Sequence, residues 1–258
     1  MKVGGHALAS LEPDATVLTQ LASDIVELRS TGTRCVIVHG GGPQIAELLE
    51  RARVPSRFHE GLRITDNETM RYVAMALGEV NVLVVAALER AGLECIGLCG
   101  ADRSMFRAQS LGKPWDRAGG PPEVRTGFIE SLWAIGLTPV VNPVSVDGAG
   151  HLLNCNADTV AGALAGALGA SELVLLSDID QLRANPDDAH SALTSVTSGE
   201  VRRLVELGAA REGMRPKMTA ALDALDAGAT RIIMANGTRP HALRRALDRS
   251  IPTTEVRP

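Results

Sequence analysis

Five short runs dense in valine, isoleucine and leucine, at positions 34–40, 93–100, 137–145, 171–178 and 231–237, leave few folds open to this chain. Each is too short for a buried helix and lacks strict polar alternation, which is the pattern of a strand covered on both faces. Between them, at 14–30, 43–52, 68–92, 156–170 and 215–229, apolar residues recur at helical spacing. Strand and helix in turn predict an α/β architecture, a mainly parallel sheet with helices on both faces. The stretch 107–127 breaks this rhythm with glycine, proline and charge, and an irregular hairpin or loop is expected there. No repeat or linker divides the chain. It reads as a single domain over 1–258, with an N-lobe to about 170 and a C-lobe over about 171–258 sharing one sheet.

Composition narrows the partners. The 258 residues carry a net charge of −4 and only 2% aromatics, which disfavours nucleic acid held by bulk charge or base stacking and leaves small molecules. Cys35, Cys95, Cys99 and Cys155 have neither metal nor disulfide spacing and suit reduced thiols in a cytoplasmic protein. The apolar stretch 80–88 is too short to span a bilayer, so no membrane partner is expected.

Ligands of parallel sheets gather where strands run into helices. Gly40, Gly41 and Gly42 stand at such a junction, followed by Pro43 at a first helical turn. Three glycines let backbone amides approach an anion at a helix N-terminus, although a tight turn would also use one of them. Neither a Walker loop nor a dinucleotide fingerprint is present. Lysine is scarce: Lys2 abuts Gly4 and Gly5 across Val3, Lys217 opens a helix, and Lys113 sits in a polar loop and receives no role. Asn154, Asn156 and Asp158 precede a small-residue helix, and capping explains one of the three. Arg63 is either a surface residue or a bidentate carboxylate grip, with Thr65 or Asp66 as the next helix cap. His39 reads as a structural histidine held by backbone hydrogen bonds; His6, His59, His151, His190 and His241 have no metal spacing.

Taken in order, Lys2-Val3-Gly4-Gly5, "HGGGPQI", "EGLRITD", "NCNAD", "LLSDID" and "GMRPK" resemble the successive motifs of the amino acid kinase family, in particular its members that act on N-acetyl-L-glutamate. The resemblance implies a three-layer αβα sandwich on a central, largely parallel sheet, the carbamate kinase-like fold. It places the acyl-amino-acid site and dimerisation in the N-lobe and ATP in the C-lobe. The implied reaction is transfer of the ATP γ-phosphoryl group to the side-chain carboxylate of N-acetyl-L-glutamate, in arginine biosynthesis. Lys2 and Lys217 then match the lysines that stabilise the moving phosphoryl group, and Asp158 the aspartate that holds them. Gly4, Gly5, Gly40 and Gly41 match backbone donors, Gly5 and Gly41 among the catalytic set and Gly40 and Gly41 toward the substrate. Arg63 and Asn154 match substrate-binding groups. Gly4, Gly5, Ser177, Asp178, Met214 and Lys217 fall where the family binds nucleotide. No protein metal site is implied, since Mg2+ is carried mainly by ATP phosphates.

The chain departs from the pattern in places. Pro121 and Pro122 stand in the loop expected near the acyl group, Asp180 and Gln181 alter the turn after Asp178, Glu212 precedes Gly213 and Met214, and Cys155 replaces a small aliphatic residue. Carrier-linked glutamate or aminoadipate is an alternative acceptor, with Arg103, Arg107, Arg117 and Arg125 near the entrance; a non-catalytic amino acid or nucleotide sensor is a second alternative. Without the N-terminal helical extension of arginine-inhibited relatives, an arginine-insensitive homodimer is expected. Only Met1 precedes Lys2, so the first strand is expected either as a stub or with its true start upstream.

Overall fold

The computed structural model describes residues 1–5, 7–8, 15–185, 187–207 and 214–258. His6, Glu212 and Gly213 lie outside the described residues. The five apolar runs supply five strands of an eight-stranded sheet, joined by Lys2–Val3, Ser195–Thr197 and Thr253–Arg257, in the order Ser195–Thr197, Thr253–Arg257, Arg231–Asn236, Glu172–Ser177, Lys2–Val3, Ile37–His39, Thr138–Asn142, Cys95–Cys99. All neighbours are parallel except Arg231–Asn236 with Thr253–Arg257. Strands from before residue 143 occupy one half of the sheet and strands from after 171 the other, meeting where Lys2 pairs with Leu175.

The strict two-residue period of the strands builds two cores. Leu173, Leu175, Ile232 and Met234 face one side, with Val38 and Val141. Val174, Leu176, Ile233 and Ala235 face the other, with Val3, Ile37 and Val140. The first side is covered by helices α4 (Gly127–Ala134), α5 (Ala157–Ala167), α6 (Ser198–Glu206) and α7 (Met214–Asp226). The second is covered by α1 (Thr16–Ser30), α3 (Asn67–Arg90) and α8 (Ala242–Leu247), while α2 (Gly42–Arg51) packs on α3 at the edge. Burying apolar side chains on both faces is what excludes polar alternation from the central strands.

Helix α3 matches the helical spacing over 68–92. It runs 24 residues, capped by Asp66, which accepts the Thr69 amide at 2.7 Å, so Asp66 rather than Thr65 is the cap. By length and a mean hydropathy of 1.6 it could cross a bilayer, yet its inner face lies in the core. Its outer face keeps Met75 and Val82 60% and 67% exposed.

The region 107–127 supplies the expected hairpin, Ser110–Gly112 antiparallel to Asp116–Gly119, but also joins a second, six-stranded sheet with Leu152–Cys155, Val144–Val146, Phe106–Arg107 and Glu123–Val124. Val144 follows Asn142 across Pro143, so the chain passes directly from the main sheet into this one. Its strands are two to four residues long, too short to carry a legible hydrophobic period.

Two glycines set the spacing that matters most. A Cβ on Gly162 would lie 2.6 Å from the Ala220 carbonyl oxygen, and one on Gly166 would run into the Ala227 side chain. Only bare backbone lets α5 and α7 approach so closely, and the starts of these two helices carry Asp158 and Lys217.

Candidate active site

A cleft of about 240 Å³ opens between the carboxyl ends of the main strands and the second sheet, lined by Lys2, Asp158, Lys217, Arg63 and Asn154 together with the two glycine loops. Asn156 caps α5 by accepting the Asp158 and Thr159 amides at 2.8 and 3.3 Å, so capping uses one of the three polar groups and releases Asp158. The Asp158 carboxylate then meets both lysines: Lys2 Nζ lies 2.8 Å from Oδ1 and Lys217 Nζ 3.1 Å from Oδ2. Lys2 and Asp158 are buried, Lys217 nearly so. Burial acts to raise the Asp158 carboxyl, but the two ammonium groups outweigh it and hold it below the usual carboxylate range. For Lys2, burial dominates and lowers its pKa, while Asp158 and the nearby Asp178 pull it back up. With both lysines protonated the trio has a surplus positive charge facing the cleft, a site that favours an anion.

The glycine loops face each other across this cluster. A Cβ on Gly5 would lie 2.8 Å from Pro43 Cδ and 3.0 Å from the Gly42 nitrogen, so only glycine permits the contact. The four glycines do not contribute equally. The Gly4 amide donates to the Leu176 carbonyl at 2.9 Å and the Gly40 amide to that of Val3 at 3.0 Å, extending the sheet ladder. Among the described residues the amides of Gly5 and Gly41 make no such bond, and Gly42 begins a helix whose first amides are unpaired. The donors available to an anion are therefore Gly5, Gly41 and Gly42. Gly4 and Gly40 leave room.

Arg63 is 8% exposed and hydrogen-bonds Ser56 and, at 3.4 Å, the Gly42 carbonyl, with its guanidinium 4.7 Å from the centre of the Phe58 ring. No carboxylate pairs with it among the described residues, and burial lowers its pKa. Asn154 donates to Thr65 Oγ at 3.1 Å, and that hydroxyl donates to the Arg63 carbonyl at 2.9 Å. Thr65, read from sequence only as a possible cap, is a fully buried link between the two substrate candidates. No local sequence signal marked this role, because Thr65 lies beyond the strand Leu62–Arg63, in an isolated bridge to Asp116.

Ser177 and Asp178 line the cleft beyond Lys2, whereas Met214 packs against the core at the start of α7 and does not line it. Pro121 and Pro122 also stay outside the lining, where Ala118 and Gly119 form the wall. Cys155 fills the space beside Gly119 and is a protonated, inert thiol, pushed up to about 11 by burial. Asp180 forks onto Arg239 at 2.7 and 2.8 Å, tying together the loops that follow two adjacent strands. All four cysteines are free, and no cluster of three or more potential metal ligands occurs among the described residues.

His39 is the buried histidine its position suggested. Asn81 Nδ2 donates to its Nε2 at 3.0 Å and to the Val140 carbonyl at 3.0 Å, leaving Nδ1–H to donate to the Gly40 carbonyl at 2.9 Å. Burial lowers its pKa to about 4. Between that value and about 6.5 the unfolded chain takes up a proton that the folded protein refuses, so stability falls as pH falls through this window. The loss is about 3 kcal/mol by pH 4. Urea midpoints from pH 7 to 4.5 should drop more steeply in the wild type than in His39→Asn; equal slopes would refute the neutral assignment.

The sequence profile of the amino acid kinase family matches residues 1–236. The acetylglutamate kinase of Moorella thermoacetica is 39% identical over 255 residues, 94% of this chain and 85% of that protein. The crystal structure of smu.665 from Streptococcus mutans superposes with a TM-score of 0.81 at 29% identity, covering 91% of this chain and 93% of that one. The carbamate kinase of Giardia lamblia bound to AMP-PNP shares the fold, with a TM-score of 0.69 at 17% identity over 99% and 96% of the two chains.

Proposed function

The chain belongs to the amino acid kinase family, and on that premise we propose that it transfers the γ-phosphoryl group of ATP to the side-chain carboxylate of N-acetyl-L-glutamate, a step of arginine biosynthesis. The observation that carries this reading is the pair of lysine ammonium groups on one buried carboxylate, facing glycine amides that are unpaired among the described residues. Phosphoryl transfer asks a protein chiefly for position and for positive charge around the moving group.

The acceptor carboxylate, with an ordinary pKa near 4.3, is already ionised at neutral pH, so the reaction needs no general base. The site is consistent with that: His39 is turned into the core. In this reading the amides of Gly5, Gly41 and Gly42 and the ammonium groups of Lys2 and Lys217 receive the phosphate oxygens. Asp158 keeps the two lysines from separating. Arg63, with no acidic partner among the described residues, takes the substrate α-carboxylate, and Asn154 a neighbouring polar group. Ser177 and Asp178 stand on the nucleotide side. Both Asp158 oxygens face lysines, so Mg2+ is assigned to the ATP phosphates rather than to a protein cage. ATP is assigned to the C-lobe and the acyl amino acid to the N-lobe. A cytoplasmic homodimer completes the proposal, supported by the apolar outer face of α3.

The test is acyl phosphate formation trapped with hydroxylamine, across N-acetylglutamate, glutamate, N-acetyl-aminoadipate and a carrier-linked glutamate. Hydroxamate with N-acetylglutamate well above the others is expected. No hydroxamate with any carboxylate would end the kinase reading.

A further inference from the structure

His39 ends the strand that runs into the glycine loop, is fully buried, and has no task in the proposed reaction. Asn81, its partner on α3, is buried as well. Two apolar side chains of similar size could fill the same space and leave no polar atom to satisfy, so packing alone does not account for the pair.

The hydrogen bonds fix which ring nitrogen carries the proton. Asn81 Nδ2 lies 3.0 Å from His39 Nε2 and 3.0 Å from the Val140 carbonyl oxygen. A carbonyl only accepts, so the amide nitrogen must face it, and the same nitrogen then donates to Nε2. The proton is left on Nδ1, which donates to the Gly40 carbonyl at 2.9 Å. Among the described residues no backbone amide donates to that carbonyl. Space is kept for Asn81, since a Cβ on Gly97 would run into its Oδ1.

Holding this carbonyl has a consequence on the other side of the sheet. The Gly40–Gly41 peptide is trans, so its N–H points opposite to its C=O. His39 draws the carbonyl toward α3, which turns the Gly41 amide toward α5, where Asp158 gathers its two lysines. The Gly41 nitrogen accordingly faces the other loop, 3.3 Å from where a Cβ on Gly5 would stand. The backbone bonds of the loop hold only the flanking peptides: the Gly40 amide donates to Val3, and the Gly41 carbonyl accepts from Ile45. Gly41 has to be glycine, because a Cβ there would lie 2.8 Å from Leu77 Cδ2. A peptide between two glycines turns at little steric cost, so the freedom that lets the loop approach an anion also lets its donor swing away.

We propose that His39 is a positioning residue for phosphoryl transfer: its Nδ1–H holds the Gly40 carbonyl and so keeps the Gly41 amide aimed at the phosphate oxygens, while Asn81 fixes the tautomer. The role rests on the kinase reading; the tautomer does not.

Substitutions can divide the ring, because asparagine places an amide nitrogen near the Nδ1 position and glutamine places one near Nε2. His39→Asn should keep kcat within about threefold, whereas His39→Gln and His39→Leu should lose about 10- to 100-fold, the effect of misplacing one electrostatic donor. KM for N-acetylglutamate should stay within about twofold throughout, since its assigned residues are untouched. A role in packing alone would rank the variants by melting temperature, and kcat values that follow that ranking instead of the donor position would overturn the proposal. In the wild type, two-bond 1H–15N correlations of the imidazole, assigned by their loss in His39→Asn, should show Nδ1 protonated and Nε2 bare at neutral pH. A proton on Nε2 would overturn the proposal while the kinase reading stands. A wild type that forms no hydroxamate would end the kinase reading, and this role with it, whatever the tautomer.

Discussion

Lys217→Ala is expected to lower kcat by about 100-fold or more, equivalent to roughly 3 kcal/mol of lost transition-state stabilisation. The side chain reaches Asp158 from the first turn of α7 and has 16% of its surface exposed. Removing it leaves Asp158 paired with Lys2 at 2.8 Å, so the fold should survive and the loss should be kinetic. KM for N-acetylglutamate should change little, because Arg63 and Asn154, the residues assigned to the acceptor, are untouched. Lys2→Ala should lose as much in kcat but also lower the melting temperature, since Lys2 is buried and its departure leaves more of Asp158 unpaired. Hydroxamate rates at saturating substrates measure both. A kcat within about threefold of wild type for Lys217→Ala would remove it from the phosphoryl path, because electrostatic donors at such sites are worth far more than that.

What the sequence disclosed and what it hid follow from how each element is stabilised. The strands of the sheet interior were legible because burial on both faces demands a continuous apolar run, as in Leu173–Val174–Leu175–Leu176. Thr253–Arg257 was not, because it reads as polar. Thr253, Thr254 and Glu255 are nonetheless buried there, Glu255 held by Arg231, Arg249 and Arg257. Long-range pairing of that kind has no local signature. The same distinction runs through the site. Lys2, Asp158 and Lys217 stood out because lysine is scarce and motif order is specific. The division of labour among the glycines did not, because which amides remain free depends on register: Gly4 and Gly40 are consumed by Leu176 and Val3, partners set by the sheet and not by the loops. Likewise Arg63 could be a surface residue until Ser56, Gly42 and Phe58 are seen to close around it.

Asp158→Asn should be the most destabilising single change in the site, costing about 3–5 kcal/mol near neutral pH. The substitution preserves shape and leaves two ammonium groups, previously 2.8 and 3.1 Å from one carboxylate, repelling each other around a neutral amide. Stability should recover as pH rises. In the variant the folded pKa of Lys2 lies still further below its unfolded value near 10.4, so above the folded value the unfolded chain binds more protons and alkali favours folding. In the wild type the sign at the acid end comes from Asp158 itself. Its folded pKa is depressed, so its contribution is present above about 3.9 and is lost as pH falls through the lower folded value. The wild-type advantage should therefore be widest around neutrality and narrow toward both extremes. Chemical denaturation at pH 3.5, 7 and 9.5 would measure it. A gap that stays constant with pH would mean that Asp158 acts through packing alone, and the lysines would then need another organiser. Activity cannot substitute for this measurement, since a slow variant is expected on either account; the pH dependence of the gap is what separates a carboxylate that organises two charges from one that only fills space.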